Sequence, residues 1–382
     1  MHLATHPNGG VSLCCRSNHV RAASWAKQPG SVELQTLDDA TLANIANSET
    51  FVAVREAMLS GQRPTECEGC WQDEAAGVIS KRQQENQRWA HLQGDLENTS
   101  VLSRPAYRYV ELRLGNTCNS ACVTCNSWSS SRWNRDEQQL AQDLDWFRAG
   151  PQENFRWSEN DAFYEQLADL SPDVEEIYIN GGEPTLIKAH FRYLERLVES
   201  GQSQQVHLVY NINMTGIPER LLWLWERFQR VTVNCSIDDV GERNRYIRWP
   251  TVWADVERCL ASISSAGNIQ WNVTQTVSIY NISTLGNLED WLQDRYSKIP
   301  IHNHVLYPAY LSLSAVPDAL RIELAALYSR REGQQWQDLV TRLSGSYDAG
   351  HNAQAAQFVR ALDLNRGVDF RDFVPELARI IG

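Results

Sequence analysis

Three cysteines fall within eight residues, Cys118-x-x-x-Cys122-x-x-Cys125, and no other stretch constrains the 382-residue chain as tightly. Their neighbours are Asn116, Thr117, Asn119, Thr124 and Asn126. That polar setting suits neither a core strand nor a buried helix face. A chain reversal that gathers three thiolates reads as a metal site. The loop directly follows a strand expected over 107–114, where Val110, Leu112 and Leu114 alternate with their neighbours. Strand ends are where parallel βα folds put their chemistry. A closed zinc site wants a fourth ligand, and no Cys or His follows Cys125 for many residues. Three thiolates on a cubane cluster leave one iron open to a substrate or cofactor.

Six further cysteines divide in the same spirit. Cys14-Cys15 and Cys67-x-x-Cys70 are clustered, and Cys235 and Cys259 stand alone. The lone pair reads as small buried hydrophobes. The other four thiols are enough to hold a second cluster, with zinc or a mixed ligand set as the alternative. Nine cysteines in such groups fit a reducing compartment, so a cytoplasmic location is expected. Residues 1–10 lack the basic and apolar regions of a signal peptide, and no window approaches ~18 consecutive apolar residues. Lys plus Arg is 35 against 47 Asp plus Glu, a net charge of −12 that disfavours a nucleic-acid partner.

The pattern along the chain implies three domains. Residues 1–95 form a small cysteine-containing α+β unit: a hairpin around Pro7-Asn8-Gly9-Gly10, a short helix over 40–47 capped by Asp38 or Asp39, a helix over 49–59, and a polar helix over 71–96 interrupted near Gly77. A polar stretch at 94–105 reads as a linker. Residues 105–310 alternate strands, expected at 107–114, 174–180, 206–214, 230–237, 270–279 and 304–307, with helices at about 128–148, 187–200, 219–228, 251–265 and 284–296. Repeated βα units make a parallel sheet, and six strands suit an open partial (β/α)6 barrel. Residues 317–382 are expected to be a helical extension. Of the 14 tryptophans, Trp128, Trp133 and Trp249 are the candidates for lining a pocket. His302 and His304 read as surface or core histidines, with substrate contact as the alternative.

The cysteine loop resembles that of the radical S-adenosylmethionine (SAM) enzymes, and the likeness continues at successive strand ends. Asn180-Gly181-Gly182-Glu183-Pro184 is similar to that superfamily's Gly-Gly-Glu-Pro. Asn211 to Thr215 resembles its Thr-Asn-Gly strand end, with Met214 at the usual glycine. Ser236-Ile237-Asp238, Tyr246-Ile247-Arg248 and Thr276 to Asn281 resemble its later motifs. The resemblance implies that Cys118, Cys122 and Cys125 hold a 4Fe–4S cluster. It also implies that Asn119, Gly181, Gly182, Glu183, Asn213, Ser236, Asp238, Arg248 and Thr276 hold SAM. Glu183 would take the methionine amino group and Arg248 its carboxylate. The implied reaction is reductive cleavage of SAM to a 5′-deoxyadenosyl radical that abstracts a substrate hydrogen, with a flavodoxin- or ferredoxin-like electron donor.

The N-terminal segment resembles a twitch module, a half-sized relative of the SPASM domain. The matching residues are Pro7-Asn8-Gly9-Gly10-Val11, Cys14-Cys15, Arg55-x-x-Met58-x-x-Gly61, Cys67-x-x-Cys70-Trp71, Glu74, Gly77, Ser80 and Arg82. The resemblance implies an auxiliary 4Fe–4S cluster on Cys14, Cys15, Cys67 and Cys70, here ahead of the barrel. It points to oxidative modification of a peptide or protein. Oxidation of a small molecule and a non-catalytic iron–sulfur scaffold or redox sensor are the alternatives.

Overall fold

The computed structural model describes residues 2–17, 35–97 and 107–382. Positions 98–105 of the expected linker lie outside them. The elements in chain order are β1 (His2–Thr5), β2 (Val11–Ser12), α1 (Leu42–Ala46), α2 (Glu49–Leu59), α3 (Glu68–Ala75), α4 (Lys81–Arg88), β3 (Tyr109–Arg113), α5 (Trp133–Asp143), α6 (Asp161–Leu170), β4 (Glu176–Asn180), α7 (Lys188–Glu199), β5 (His207–Ile212), α8 (Glu219–Trp225), β6 (Arg230–Ser236), α9 (Glu242–Ile247), α10 (Trp253–Ser264), β7 (Ile269–Val277), α11 (Gly286–Tyr296), β8 (Ile301–His304), α12 (Asp318–Tyr328), α13 (Gln334–Leu343), α14 (Ala349–Arg366) and α15 (Ala378–Ile381). This is an α/β chain with mostly parallel strands. It divides into two compact units: residues 1–117, 154–210 and 223–231 in one, and 118–153, 211–222 and 232–382 in the other.

In the first unit the strand order is β2-β1-β3-β4-β5. β1 turns back antiparallel onto β2, as the Pro7–Gly10 signal requires, with Ala4 opposite Ser12. β1 also pairs in parallel with β3, His2 beside Tyr109, so the N-terminal hairpin extends the sheet that carries β3 and β4. Those strands pair in parallel, with Val110 beside Ile177 and Leu112 beside Ile179, and all four side chains are buried. The first helix is capped by Thr41, whose hydroxyl accepts from Asn44 N–H at 3.2 Å. The expected caps Asp38 and Asp39 are not used, because Asp39 instead accepts from the Thr36 hydroxyl. The polar stretch after Trp71 splits into α3 and α4 at Gly77, whose φ of 76° ends the first piece. Ser80 starts the second with a reciprocal capping box to Gln83.

The second unit orders its strands β6-β7-β8. β7 pairs in parallel with β8, Gln275 beside His302. The last strand is Ile301–His304 rather than the expected 304–307. The apolar run Leu306-Tyr307 that suggested the later register is 72% and 88% exposed, so its hydrophobicity marks no burial. The C-terminal extension is helical as expected. α5, α12, α13 and α14 share one core with the β7 end, built around Trp133, Tyr328, Trp336, Phe358 and Phe370. No helix of the described residues is long and apolar enough to cross a membrane.

Candidate active site

The cysteine loop lies in the second unit and is held by backbone on one side. Ala121 N–H donates to Trp249 C=O at 2.7 Å and Val123 N–H to Ile247 C=O at 2.8 Å, so the loop pairs with the chain on both sides of Arg248. Cys125 N–H closes a tight turn on Cys122 C=O at 2.9 Å. Ser120 N–H donates to Cys118 Sγ at 3.4 Å. Ser130 Oγ donates to Ser120 C=O at 2.6 Å and fixes the loop's start. None of the three cysteines is in a disulfide. Burial pushes the Cys122 thiol up, against the pull of Arg248. Burial and the neighbouring Cys122 and Cys118 thiolates push Cys125 up further. That mutual repulsion is what a cation placed among them would relieve. Among the described residues no three His, Cys, Asp or Glu side chains converge closely enough for a single metal ion. A tetrahedral zinc would draw its sulfurs to within about 3.8 Å of one another, given Zn–S of about 2.3 Å. A cubane holds its thiolates farther apart.

Asn213 stands beside the first cysteine. Its Nδ2 donates to Asn119 Oδ1 at 2.7 Å and Ser120 Oγ at 3.2 Å, with Cys118 Sγ at 3.9 Å. Its Oδ1 accepts from Thr215 N–H and the Thr215 hydroxyl. Met214, between them, has φ 62°. This is the left-handed conformation that glycine adopts at least cost.

Arg248 and Asp238 form a buried ion pair, Nη1 to Oδ2 at 3.0 Å. Asp238 has no exposed surface. Its second oxygen accepts from Thr276 N–H at 2.6 Å, so the carboxylate ties Arg248 to β7. Burial works against the guanidinium's charge, but Cys122 and Asp238 outweigh it and hold Arg248 protonated. Arg248 Nε is buried and has no hydrogen-bond partner among the described residues. A buried donor of that kind is costly unless a ligand satisfies it. Asn244, which carries no motif or spacing signal, accepts from Asp238 N–H at 3.0 Å and shapes this turn. Ser236 and Thr276 lie at the ends of β6 and β7, half-exposed.

Gly181, Gly182 and Glu183 lie in the first unit, where their own packing explains the glycines. Gly182 has φ 47°, and a Cβ there would lie 2.3 Å from Thr117 C=O, the residue before Cys118. A Cβ on Gly181, φ 85°, would lie 2.8 Å from the Arg113–Leu114 peptide. Glu183 N–H donates to Thr117 C=O at 2.8 Å, and its carboxylate accepts from Thr185 N–H at 3.1 Å.

Cys14, Cys15, Cys67 and Cys70 also lie in the first unit, as free thiols. A hydrogen bond from the Cys15 thiol holds Cys14 down at about 4, with His2 adding to the effect. Donating that bond, and burial, push Cys15 up, with Glu111 nearby. Burial and the charge of Cys14 push Cys67 up to about 11. Arg16 joins Asp73 at 2.8 Å and pins the Cys14-Cys15 turn to α3, which carries Cys70. Glu74 accepts from Ser80 Oγ at 2.6 Å and from Arg82 at 2.8 Å. Arg82 in turn lies over the Trp71 ring at 4.6 Å. These residues therefore brace the turn that follows Cys67-x-x-Cys70.

One expectation about lining residues changes. Trp133 is fully buried, and its Nε1 donates to Cys122 C=O at 2.9 Å, so it supports the loop from within the core. His302 packs edge-on against Trp336, and burial lowers both His302 and His304 to about 4, which leaves them neutral near pH 7. Trp128 is 46% exposed beside the loop.

The profile of the radical SAM superfamily matches residues 112–292. The chain carries a radical SAM domain. A second profile, SPASM, an iron–sulfur cluster-binding domain, matches residues 1–71. The two matched domains imply a 4Fe–4S cluster with SAM and an auxiliary iron–sulfur cluster. The free thiols and the orphaned Arg248 Nε fit those groups. No curated protein matches the chain. Solved structures with partial likeness include anSMEcpe with bound AdoMet (16% identity, TM-score 0.41, 57% of this chain and 58% of that one). Streptococcus suis SuiB is another (12% identity, TM-score 0.39, 78% and 63%). A third is the methyltransferase TsrM from Kitasatospora setae (12% identity, TM-score 0.34, 51% and 36%). The chain spans less than two thirds of the length of each.

Proposed function

We propose that this radical SAM enzyme cleaves SAM at the 118–125 loop and modifies a peptide or protein oxidatively. The observation that carries the reading is the set of groups in the second unit: three cysteines outside any disulfide, Asn213 beside Cys118, and a buried Arg248 with one donor unsatisfied. When bound, the cluster and SAM supply the electron and the 5′-deoxyadenosyl radical that takes a substrate hydrogen. Cys118, Cys122 and Cys125 are the cluster's ligands in this reading. Arg248 keeps Nη1 on Asp238 and offers Nε to the methionine carboxylate. Asp238 fixes that guanidinium and Thr276. Glu183, with the backbone at Gly181 and Gly182, takes the amino group. Asn119, Asn213 and Ser236 are placed for the nucleoside. Cys14, Cys15, Cys67 and Cys70 would hold the auxiliary cluster, which would supply an acceptor for a substrate electron. A flavodoxin- or ferredoxin-like protein of the cytoplasm supplies the reducing electron.

A row of half-exposed amides favours a peptide over an apolar small molecule. Asn234 Nδ2 donates to Asn211 Oδ1 at 2.9 Å, and Asn272 Nδ2 to Asn234 Oδ1 at 3.4 Å. Asn234 and Asn272 share strand faces with Ser236 and Thr276, and side-chain amides match the donors and acceptors of a peptide backbone. The test is anaerobic incubation of the reconstituted protein with short peptides encoded beside its gene. Loss of two hydrogens from one peptide, abolished by Cys122→Ala, is the expected result. Unchanged peptides alongside oxidation of a small molecule would overturn the peptide assignment.

A further inference from the structure

We infer that Arg366, at the end of α14 in the C-terminal extension, is a positioning residue for the radical cluster: it braces the cysteine loop and sets the cluster's potential by its charge. The inference rests on the assignment of a cluster to Cys118, Cys122 and Cys125. Arg366 Nη2 donates to Ala121 C=O at 2.8 Å, the peptide that leads into Cys122. Its Nε donates to Asp136 Oδ2 at 2.8 Å. Its guanidinium lies 4.9 Å from the centre of the Trp133 ring, and that indole donates to Cys122 C=O at 2.9 Å. Two successive carbonyls of the loop are thus held by one stacked pair of side chains from α5 and α14. The opposite side of the loop is held by backbone at Ile247 and Trp249.

The Arg366 side chain is 5% exposed. Its charge therefore acts through protein rather than through water, where it would be screened. A fixed cation near a cluster stabilises the reduced form, which carries one more negative charge, and so raises the potential. Asp136 partly offsets that cation. The two side chains thus act with opposite signs on the cluster although both support the same loop. Phe358, Leu362 and Arg366 share a helix face at a spacing of four, so a charge has been placed on the buried face of α14.

The test is an EPR-monitored redox titration of the reconstituted full-length protein. The signal that changes on adding SAM marks the cluster in question. Arg366→Met is expected to shift its midpoint to a more negative potential, and Asp136→Asn to a more positive one. Arg366→Lys, which keeps the charge and loses the fork, should restore much of the potential. Shifts of the same sign in the Met and Asn variants, or none, would overturn the inference, because simple loosening of the loop moves both alike. Should Arg366→Met fail to fold, the direction of the Asp136→Asn shift decides alone. Absence of any SAM-responsive signal in the wild type would instead defeat the cluster assignment.

Discussion

Replacing Asp238 by alanine is expected to destabilise the second unit by about 4 kcal/mol, since removing one partner of a buried ion pair costs about 3–5 kcal/mol. The structure supplies the reason. Asp238 is fully buried, its partner Arg248 keeps 10% of its side chain exposed, and the carboxylate also accepts from Thr276 N–H. Alanine leaves two donors facing a dry space, one of them charged. Asp238→Asn preserves the shape, but either orientation of the amide points an NH2 at a donor, Arg248 or Thr276. Its cost should be about 2–3 kcal/mol, the penalty for an unsatisfied buried group. The exposed pair Arg379–Glu323, with side chains 51% and 58% exposed, is the control. Glu323→Ala should cost far less than Asp238→Ala, because solvent screens an exposed pair. Urea unfolding of the reduced apo protein, followed by tryptophan fluorescence at low and high salt, measures all three. The Asp238 effect should persist in salt, because a buried pair is little screened. An Asp238→Ala cost no larger than that of Glu323→Ala would refute the reasoning.

Three further outcomes follow from the geometry. Gly182→Ala should cost about 3 kcal/mol, combining a left-handed residue with a clash on Thr117 C=O, whereas Gly201→Ala, with φ 78° and open space around it, should cost about 1 in the same urea assay. Burial raises Asp239 from 3.8 to about 6, so the fold retains a proton that the unfolded chain has lost, and stability falls as pH rises between those values. Asp239→Asn should flatten that fall in urea midpoints taken at pH 4, 5 and 6. Cys67→Ala should lower iron after anaerobic reconstitution from about eight to about four per chain, with each 4Fe–4S cluster holding four. Retention of about eight would remove Cys67 from the auxiliary site.

The chemistry of the site was more legible in the sequence than its supports. Apolar residues at every second position disclosed β3 and β4, where Val110, Leu112, Ile177 and Ile179 are all buried. The edge strand β8 was misplaced by three residues, because exposed Leu306 and Tyr307 imitate a buried run. α6 and α9 were not foreseen. α9 is a six-residue turn between Gly241 and Arg248, too short for periodicity to show. Met214 at a glycine position was visible as an oddity, and its φ of 62° shows that the backbone keeps the glycine conformation there. The pairing of Arg366 with Ala121, 245 residues apart in the chain, had no local signature beyond a charge on an apolar helix face. Contacts across such separations are set by tertiary packing, which spacing alone does not encode. Asp238 was expected among the residues that hold SAM, and its pairing with Arg248 became visible only with both oxygens accounted for.

The central claim is that the 118–125 loop supports reductive cleavage of SAM. Its most direct test is chromatographic detection of 5′-deoxyadenosine after the anaerobically reconstituted protein is reduced with dithionite in the presence of SAM. The wild type should form it, and Cys122→Ala should not. A protein fully loaded with iron and sulfide that forms none would contradict the claim and leave the fold as an iron–sulfur scaffold.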